Sequence, residues 1–253
     1  MKLPYVKSTL TNGIATITFF HSQSNSLPGM LLKELVTKIE AAGNNPEVKV
    51  IVLQSEGDNT FCAGGSFDEM VELEDVETSK TFFMGFASVI NAMRKTPKFI
   101  IVRVQGKVVG GGVGIVAAAD YALAMDTAPI KLSELSIGIG PFVIGPAVQR
   151  KIGVAAFSSL SINATEWRSA QWALEKGLYV ELYTTLETMD TAIATLAEQL
   201  AISNPEAMSA LKKRFWAGTE NWDTLLAEQA EIVGKLVLSD FTKNAINKFK
   251  KNV

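Results

Sequence analysis

The 253-residue chain carries one cysteine, Cys62, and one histidine, His21. A lone cysteine excludes an internal disulfide and a thiolate metal cluster, and it accords with a reducing compartment. A lone histidine excludes a multi-histidine metal site, and only His21 could serve a Ser-His-Asp or Cys-His nucleophile system. Acid–base chemistry here falls to carboxylates, and no metal is expected. Charge of one sign is also missing. Twenty-four Lys and Arg against 26 Asp and Glu leave a net charge of -2, with no basic surplus to grip nucleic acid. Long apolar runs are absent too. The longest without charge, Val108 to Ala119, lies between Lys107 and Asp120 and falls short of the roughly 20 residues that span a bilayer. The opening "MKLPYVKSTLTNG" has no apolar signal core and no Arg/Ser-rich transit character, so a cytoplasmic protein is expected.

With 47% hydrophobic residues, the chain can bury a substantial core as one α/β domain or a main domain with an appendage. "YVKSTLTNGIATITFF" reads as two strands joined at Asn12-Gly13. "PGMLLKELVTKIEAAGNN" places Leu31, Leu32, Leu35, Val36 and Ile39 at helical spacing, with Gly43 where the helix would end. "VKVIVLQS" and "FIIVRVQG" read as buried strands separated by the helical "SKTFFMGFASVINAMRKTP", an order that implies parallel pairing with right-handed crossovers. "YALAM" and "IKLSE" read as short strands. Beyond about Asn163 the pattern is helical, with a start expected at Thr165 and another at Ser203 or Asn204 before Pro205.

The stretch "VVGGGVGIVAAAD" holds Gly110, Gly111, Gly112 and Gly114. Gly112 to Ala117 matches G-x-G-x-x-G/A, the turn that cradles a dinucleotide pyrophosphate. That turn belongs to a first βα unit with an acidic residue roughly 20 positions on. This run falls mid-chain, Asp126 is too close, and Glu134 sits in a different pattern. Tight helix packing would explain one or two of the glycines. Glycine inside regular structure costs about 0.5–1 kcal/mol relative to alanine, so a cluster of four suggests that something approaches the backbone closely.

A second such turn lies upstream, where "NTFCAGGSFDEM" follows a strand and opens a helix at Ala63-Gly64-Gly65. Downstream, "IKLSELSIGIGP" places Glu134 after a short strand. Two turns with bare backbone donors and one carboxylate suit a specific chemistry: two N–H groups hold a carbonyl oxygen that becomes an enolate, and the carboxylate moves a proton or activates water.

These pieces, with "ITFFHSQSNSL" before them and "ATEWRSAQWALEKGLYVELY" after, resemble the crotonase (enoyl-CoA hydratase/isomerase) superfamily over nearly the whole chain. The resemblance implies an α/β fold, a spiral of repeated ββα units with a helical C-terminal region, divided as a core over 1–195 and a trimerisation region over 196–253. It implies an oxyanion hole from the N–H groups of Gly65 and Gly111, with Glu134 as the catalytic carboxylate. Ser24, Ala63, Gly64, Phe67, Gly110, Lys250 and Lys251 would contact the acyl-CoA. Coenzyme A enters only as part of the substrate, and a homotrimer or homohexamer is implied.

One position departs from the pattern. The second glutamate of the hydratases would fall at Gly114. The combination "GGVG…LSEL…P" looks like bacterial 3-methylglutaconyl-CoA hydratase-like members and the dehydratases of polyketide β-branching. The implied activity is reversible hydration of a 2-enoyl-CoA, with 3-methylglutaconyl-CoA or another branched acyl group first in line. Enoyl-CoA isomerisation, decarboxylation and non-catalytic acyl-CoA binding stand as alternatives. Asp68 and Glu69 suit a helix N-terminus, Cys62 suits a small buried hydrophobe, and His21 a loop or strand end. Arg150 and Lys151 are further candidates for CoA phosphates, while Trp167, Trp172, Phe215 and Trp216 suit helix packing.

Overall fold

The computed structural model describes residues 2–251, without the side chains of Phe249, Lys250 and Lys251. Strands β1 (Tyr5–Thr11) and β2 (Ile14–Phe20) pair antiparallel, with Thr11 opposite Ile14. Their turn is Asn12-Gly13, at φ of 50° and 79°. A two-residue hairpin loop needs positive φ at both positions to match the strand twist, and Asn-Gly supplies it at low cost. Helix α1 (Gly29–Asn44) follows and buries Leu31, Leu32, Leu35 and Ile39 completely, each worth about 1.5–3 kcal/mol relative to exposure. Gly43 lies inside its last turn rather than beyond it. A methyl there would stand 2.6 Å from Thr96 Oγ1, so close packing, not termination, explains that glycine.

From here one unit repeats: a strand in a large sheet, a shorter strand in a small sheet, then a helical return. The first unit is β3 (Val50–Ser55), β4 (Thr60–Cys62), α2 (Phe67–Val71) and α3 (Val76–Lys95). The second is β5 (Phe99–Val104), β6 (Lys107–Val109) and α4 (Gly111–Ala118). The third is β7 (Tyr121–Met125), β8 (Ile130–Lys131), a 3-10 turn at Glu134–Ile137 and α5 (Gly145–Ile162). After α6 (Ala170–Glu175), β9 (Glu181–Tyr183) completes the large sheet, ordered β1-β2-β3-β5-β7-β9 and parallel from β2 onward. The small sheet is β4-β6-β8, all parallel. β3 and β5 are buried on both faces, as continuous apolar runs in a covered parallel sheet must be.

Helices α7 (Leu186–Ala201), α8 (Pro205–Phe215), α9 (Trp222–Leu236) and α10 (Asp240–Lys251) complete the chain. α7 packs on the large sheet, α9 lies along α3, and α10 returns to the 3-10 turn and α2. Three further local expectations change. Beyond Asn163 the chain is not helical throughout, because Glu181–Tyr183 pairs with β7 as the last strand of the large sheet. The helix expected from Thr165 begins at Ala170, because Ser169, not Thr165, accepts the Trp172 N–H; Arg168 instead bridges Ile130 in extended form. The strand "IKLSE" is cut to Ile130–Lys131, and Glu134 opens the 3-10 turn. Asn204 caps α8, accepting from the Glu206 and Ala207 N–H groups. No described helix is long and apolar enough to cross a membrane.

Candidate active site

The small sheet gathers the site. Because β4, β6 and β8 run parallel and adjacent, their C-terminal ends emerge side by side, and each opens into one of the segments singled out in the sequence. β4 leads to Ala63-Gly64-Gly65, β6 to Gly110-Gly111, and β8 to Ser133-Glu134. All of these residues line a single cleft, with Phe67 at the start of α2.

The backbone of both turns is specialised. Gly64 has φ 88° and Gly110 has φ 53° with ψ -120°, conformations that residues with a Cβ rarely adopt. The two turns touch: a methyl on Gly64 would stand 3.4 Å from Gly111 N. Phe86 packs beneath both neighbours, so close that a methyl on Gly111 would lie 2.2 Å from its Cε1 and one on Gly65 3.5 Å from its Cε2. Among the described residues, neither the Gly65 nor the Gly111 N–H donates to a protein acceptor. Two unclaimed donors at the rim of one cleft can hold an oxyanion.

The first turn is anchored by residues that the motif reading missed. The Leu27 N–H donates to Gly64 O (2.8 Å). Asn25 Nδ2 donates to Glu56 O (2.8 Å) and Thr60 O (2.9 Å), and Gln105 Nε2 donates to Ser55 Oγ (2.7 Å) and Thr60 O (3.2 Å). Asn25 was visible only as part of a family-like turn; Gln105 carried no signal.

Glu134 is the only ionisable side chain on the cleft wall among the described residues. The residue as a whole is half-buried, yet its Oε2 is enclosed and has no hydrogen-bond partner. Its Oε1 lies 3.1 Å from where a Gly110 Cβ would be, so the missing side chain at Gly110 makes room for the carboxylate. Burial pushes the Glu134 pKa up to about 7. A group that divides between acid and base near neutrality suits proton transfer.

The rest of the cleft lining is largely apolar and includes Met70, Phe82, Phe83, Ile139, Phe142 and Val143. Gly114 does not reach it, since Ile144 covers that position. Ser24 is exposed in the turn before Asn25, at φ 52°, and is not part of the wall. Lys250 and Lys251 end α10, and their side chains lie outside the described residues. Arg150 and Lys151 line a separate depression with Phe215 and Trp216. Glu69 Oε2 accepts the Gly29 N–H (2.8 Å), tying α2 to the start of α1, and Asp68 Oδ2 accepts from Gln23 Nε2 (2.8 Å) in the turn before it. His21 Nδ1 sits 2.9 Å from Ser26 Oγ, away from the cleft wall. Cys62 is fully buried under Gly112, and burial holds its thiol at about 12, which leaves it inert.

Residues 9–251 match the family model described as Enoyl-CoA hydratase/isomerase. The chain belongs to the enoyl-CoA hydratase/isomerase family. Its relatives include a short-chain-enoyl-CoA hydratase of Clostridium acetobutylicum, 27% identical over 93% of this chain and 90% of that protein. A carnitinyl-CoA dehydratase of Escherichia coli K12 is 27% identical over 84% of this chain and 80% of its own. A trans-2-decenoyl-[acyl-carrier-protein] isomerase of Streptococcus mutans is 24% identical, covering 86% and 85%. Among solved structures, a putative enoyl-CoA hydratase from Mycobacterium avium paratuberculosis superposes with a TM-score of 0.88 at 24% identity, over 98% of this chain and 97% of that one. An enoyl-CoA hydratase from Bacillus halodurans gives 0.87 at 20% identity, over 96% and 99%. These likenesses establish the crotonase fold, and the family match makes the chain an enzyme of the enoyl-CoA hydratase/isomerase type.

Proposed function

We propose that this family member catalyses reversible hydration of a branched 2-enoyl-CoA, the class to which 3-methylcrotonyl- and 3-methylglutaconyl-CoA belong. The observation that carries the reading is a carboxylic acid with its pKa near 7 in the same cleft as two unclaimed N–H groups. In the hydration direction water adds at Cβ, and negative charge collects on the thioester oxygen between the Gly65 and Gly111 N–H groups. Glu134 gives its proton to Cα and takes one back from the added water, so the site returns to its starting state. Each aligned donor contributes about 10²–10³ in rate, and the acid–base group about 10²–10⁴. A cavity volume of about 70 Å³ favours a short branched chain over a long one. The reaction so written needs no cofactor beyond the CoA that the substrate carries. Exposed Ile202, Leu211, Ile232 and Phe241, all within 196–253, support that stretch as the assembly region of a homotrimer or homohexamer, beside a core over 1–195.

A second reading is favoured by Ile144. With Gly114 covered by Ile144, no second carboxylate lines the cleft among the described residues, and Glu134 alone suffices to carry a proton between Cα and Cγ. Mass spectrometry of crotonyl-, 3-methylcrotonyl- and 3-methylglutaconyl-CoA with wild type and Glu134→Gln tests the first reading. A gain of one water, lost in the variant, supports hydration. Double-bond migration with Cα deuterium uptake in D2O and no added water replaces hydration by isomerisation. Thioester binding with neither change makes the chain a non-catalytic binder.

A further inference from the structure

We infer that the cleft accepts an uncharged acyl tail, so that monocarboxylic branched acyl-CoAs are taken in preference to dicarboxylic ones. This inference rests on the acyl-CoA reading above and narrows it. Among the described residues that line the cleft, none is Lys, Arg or His, and only Ser133 and Glu134 have polar side-chain atoms. The apolar side chains available to an acyl tail include Phe82, Phe83, Ile139, Val143 and Val233. Two of the cations on neighbouring elements are engaged elsewhere. Lys80 on α3 pairs with Glu231 (3.2 Å). Arg150 on α5 donates to Phe215 O and lies over the Trp216 ring, 5.6 Å from its centroid.

A tail carboxylate entering this wall loses its water and gains no counter-charge, which disfavours its ionised form strongly. It also joins Glu134, itself enclosed with Oε2 unpartnered, and two carboxylates in one apolar space cannot both ionise without further cost. A branched hydrocarbon tail meets neither obstacle and gains from contact with the phenyl rings.

The test compares two thioesters that cannot be hydrated, isovaleryl-CoA and 3-methylglutaryl-CoA, binding to the full chain by calorimetry at pH 8. Turnover of 3-methylcrotonyl- and 3-methylglutaconyl-CoA is measured alongside. Isovaleryl-CoA is expected to bind tighter by on the order of 100-fold, the discrimination a mismatched polar group typically brings. Phe142→Arg, at an exposed position of the cleft lining, should narrow that gap at least tenfold (about one such factor per 1.4 kcal/mol). Equal or tighter binding of 3-methylglutaryl-CoA by wild type would overturn the inference. If the preference holds while neither enoyl thioester is turned over, the inference stands and the catalytic reading falls. If neither analogue binds, both fall.

Discussion

Gly114 and Ile144 share one volume: a methyl on Gly114 would lie 2.5 Å from Ile144 Cγ2 and 2.6 Å from its Cβ. A carboxylate side chain at 114 would therefore collide with the facing Ile144. Gly114→Glu alone should overpack the α4–α5 contact, at about 1–3 kcal/mol, and leave water addition no faster. Combined with Ile144→Ala, which opens the space, it should raise water addition relative to double-bond migration. Product ratios and denaturant midpoints of the two variants decide this. A single Gly114→Glu variant with full stability would show that Ile144 yields easily.

The raised pKa of Glu134 has a stability consequence with a definite sign. Its folded value is about 7, above the roughly 4.3 of an unfolded glutamate. Between these values the folded chain holds a proton that the unfolded chain has released, so stability falls as pH rises through that window, by about 3–4 kcal/mol in all. Glu134→Gln removes the penalty. Measured by urea denaturation, the variant should gain on wild type from pH 4.5 to pH 8, while losing activity by about 10²-fold or more. Parallel pH profiles for the two proteins would contradict an enclosed carboxylate.

Gly111 and Phe86 give a third prediction. With Phe86 Cε1 2.2 Å from the position of a Gly111 Cβ, Gly111→Ala must displace the α4 N-terminus or the ring. Either moves an N–H that faces the cleft, and a misplaced oxyanion donor costs about 10²–10³ in kcat. Phe86→Leu in the same chain, by vacating part of the ring, should recover a measurable share of the loss. A Gly111→Ala variant with unchanged kcat would remove the Gly111 donor from the mechanism.

Which of these relationships the sequence reveals follows from what each depends on. The strand–helix alternation is written in local apolar periodicity, so β2, β3, β5 and the helices between them are readable from the chain. The two glycine turns and Glu134 are readable because glycine clusters at strand ends are costly without a purpose. What packs against them is not readable. Phe86 lies between the two glycine turns in sequence and sits beneath both, and Ile144 reaches Gly114 from the next repeat. Such partners are set by how the units stack, and no local signal marks them. Thr165 shows the same limit on a small scale: its capping potential is overridden because the chain through Arg168 is held extended against Ile130.

The last prediction concerns Lys212, which is 1% exposed although its side chain is an ammonium. Its Nζ donates to Asp120 Oδ2 (2.6 Å) and Lys98 O (3.0 Å), and the Ile100 N–H donates to the same Asp120 oxygen (2.8 Å). Burial pulls the Lys212 pKa down while Asp120 pulls it up. The pair ties α8 to the strand ends at β5 and β7, so removing one partner leaves an enclosed charge alone, at about 3–5 kcal/mol. Lys212→Met should lower the denaturant midpoint accordingly, and Lys212→Met with Asp120→Asn should recover part of the loss. Activity per folded molecule should hold, because Asp120 lies beyond the far end of α4 from Gly111, about 12 Å along the helix. A Lys212→Met variant of wild-type stability would mean that Asp120 finds another cation, and Lys151, which donates to Ala119 O at 2.9 Å, is the one placed to supply it.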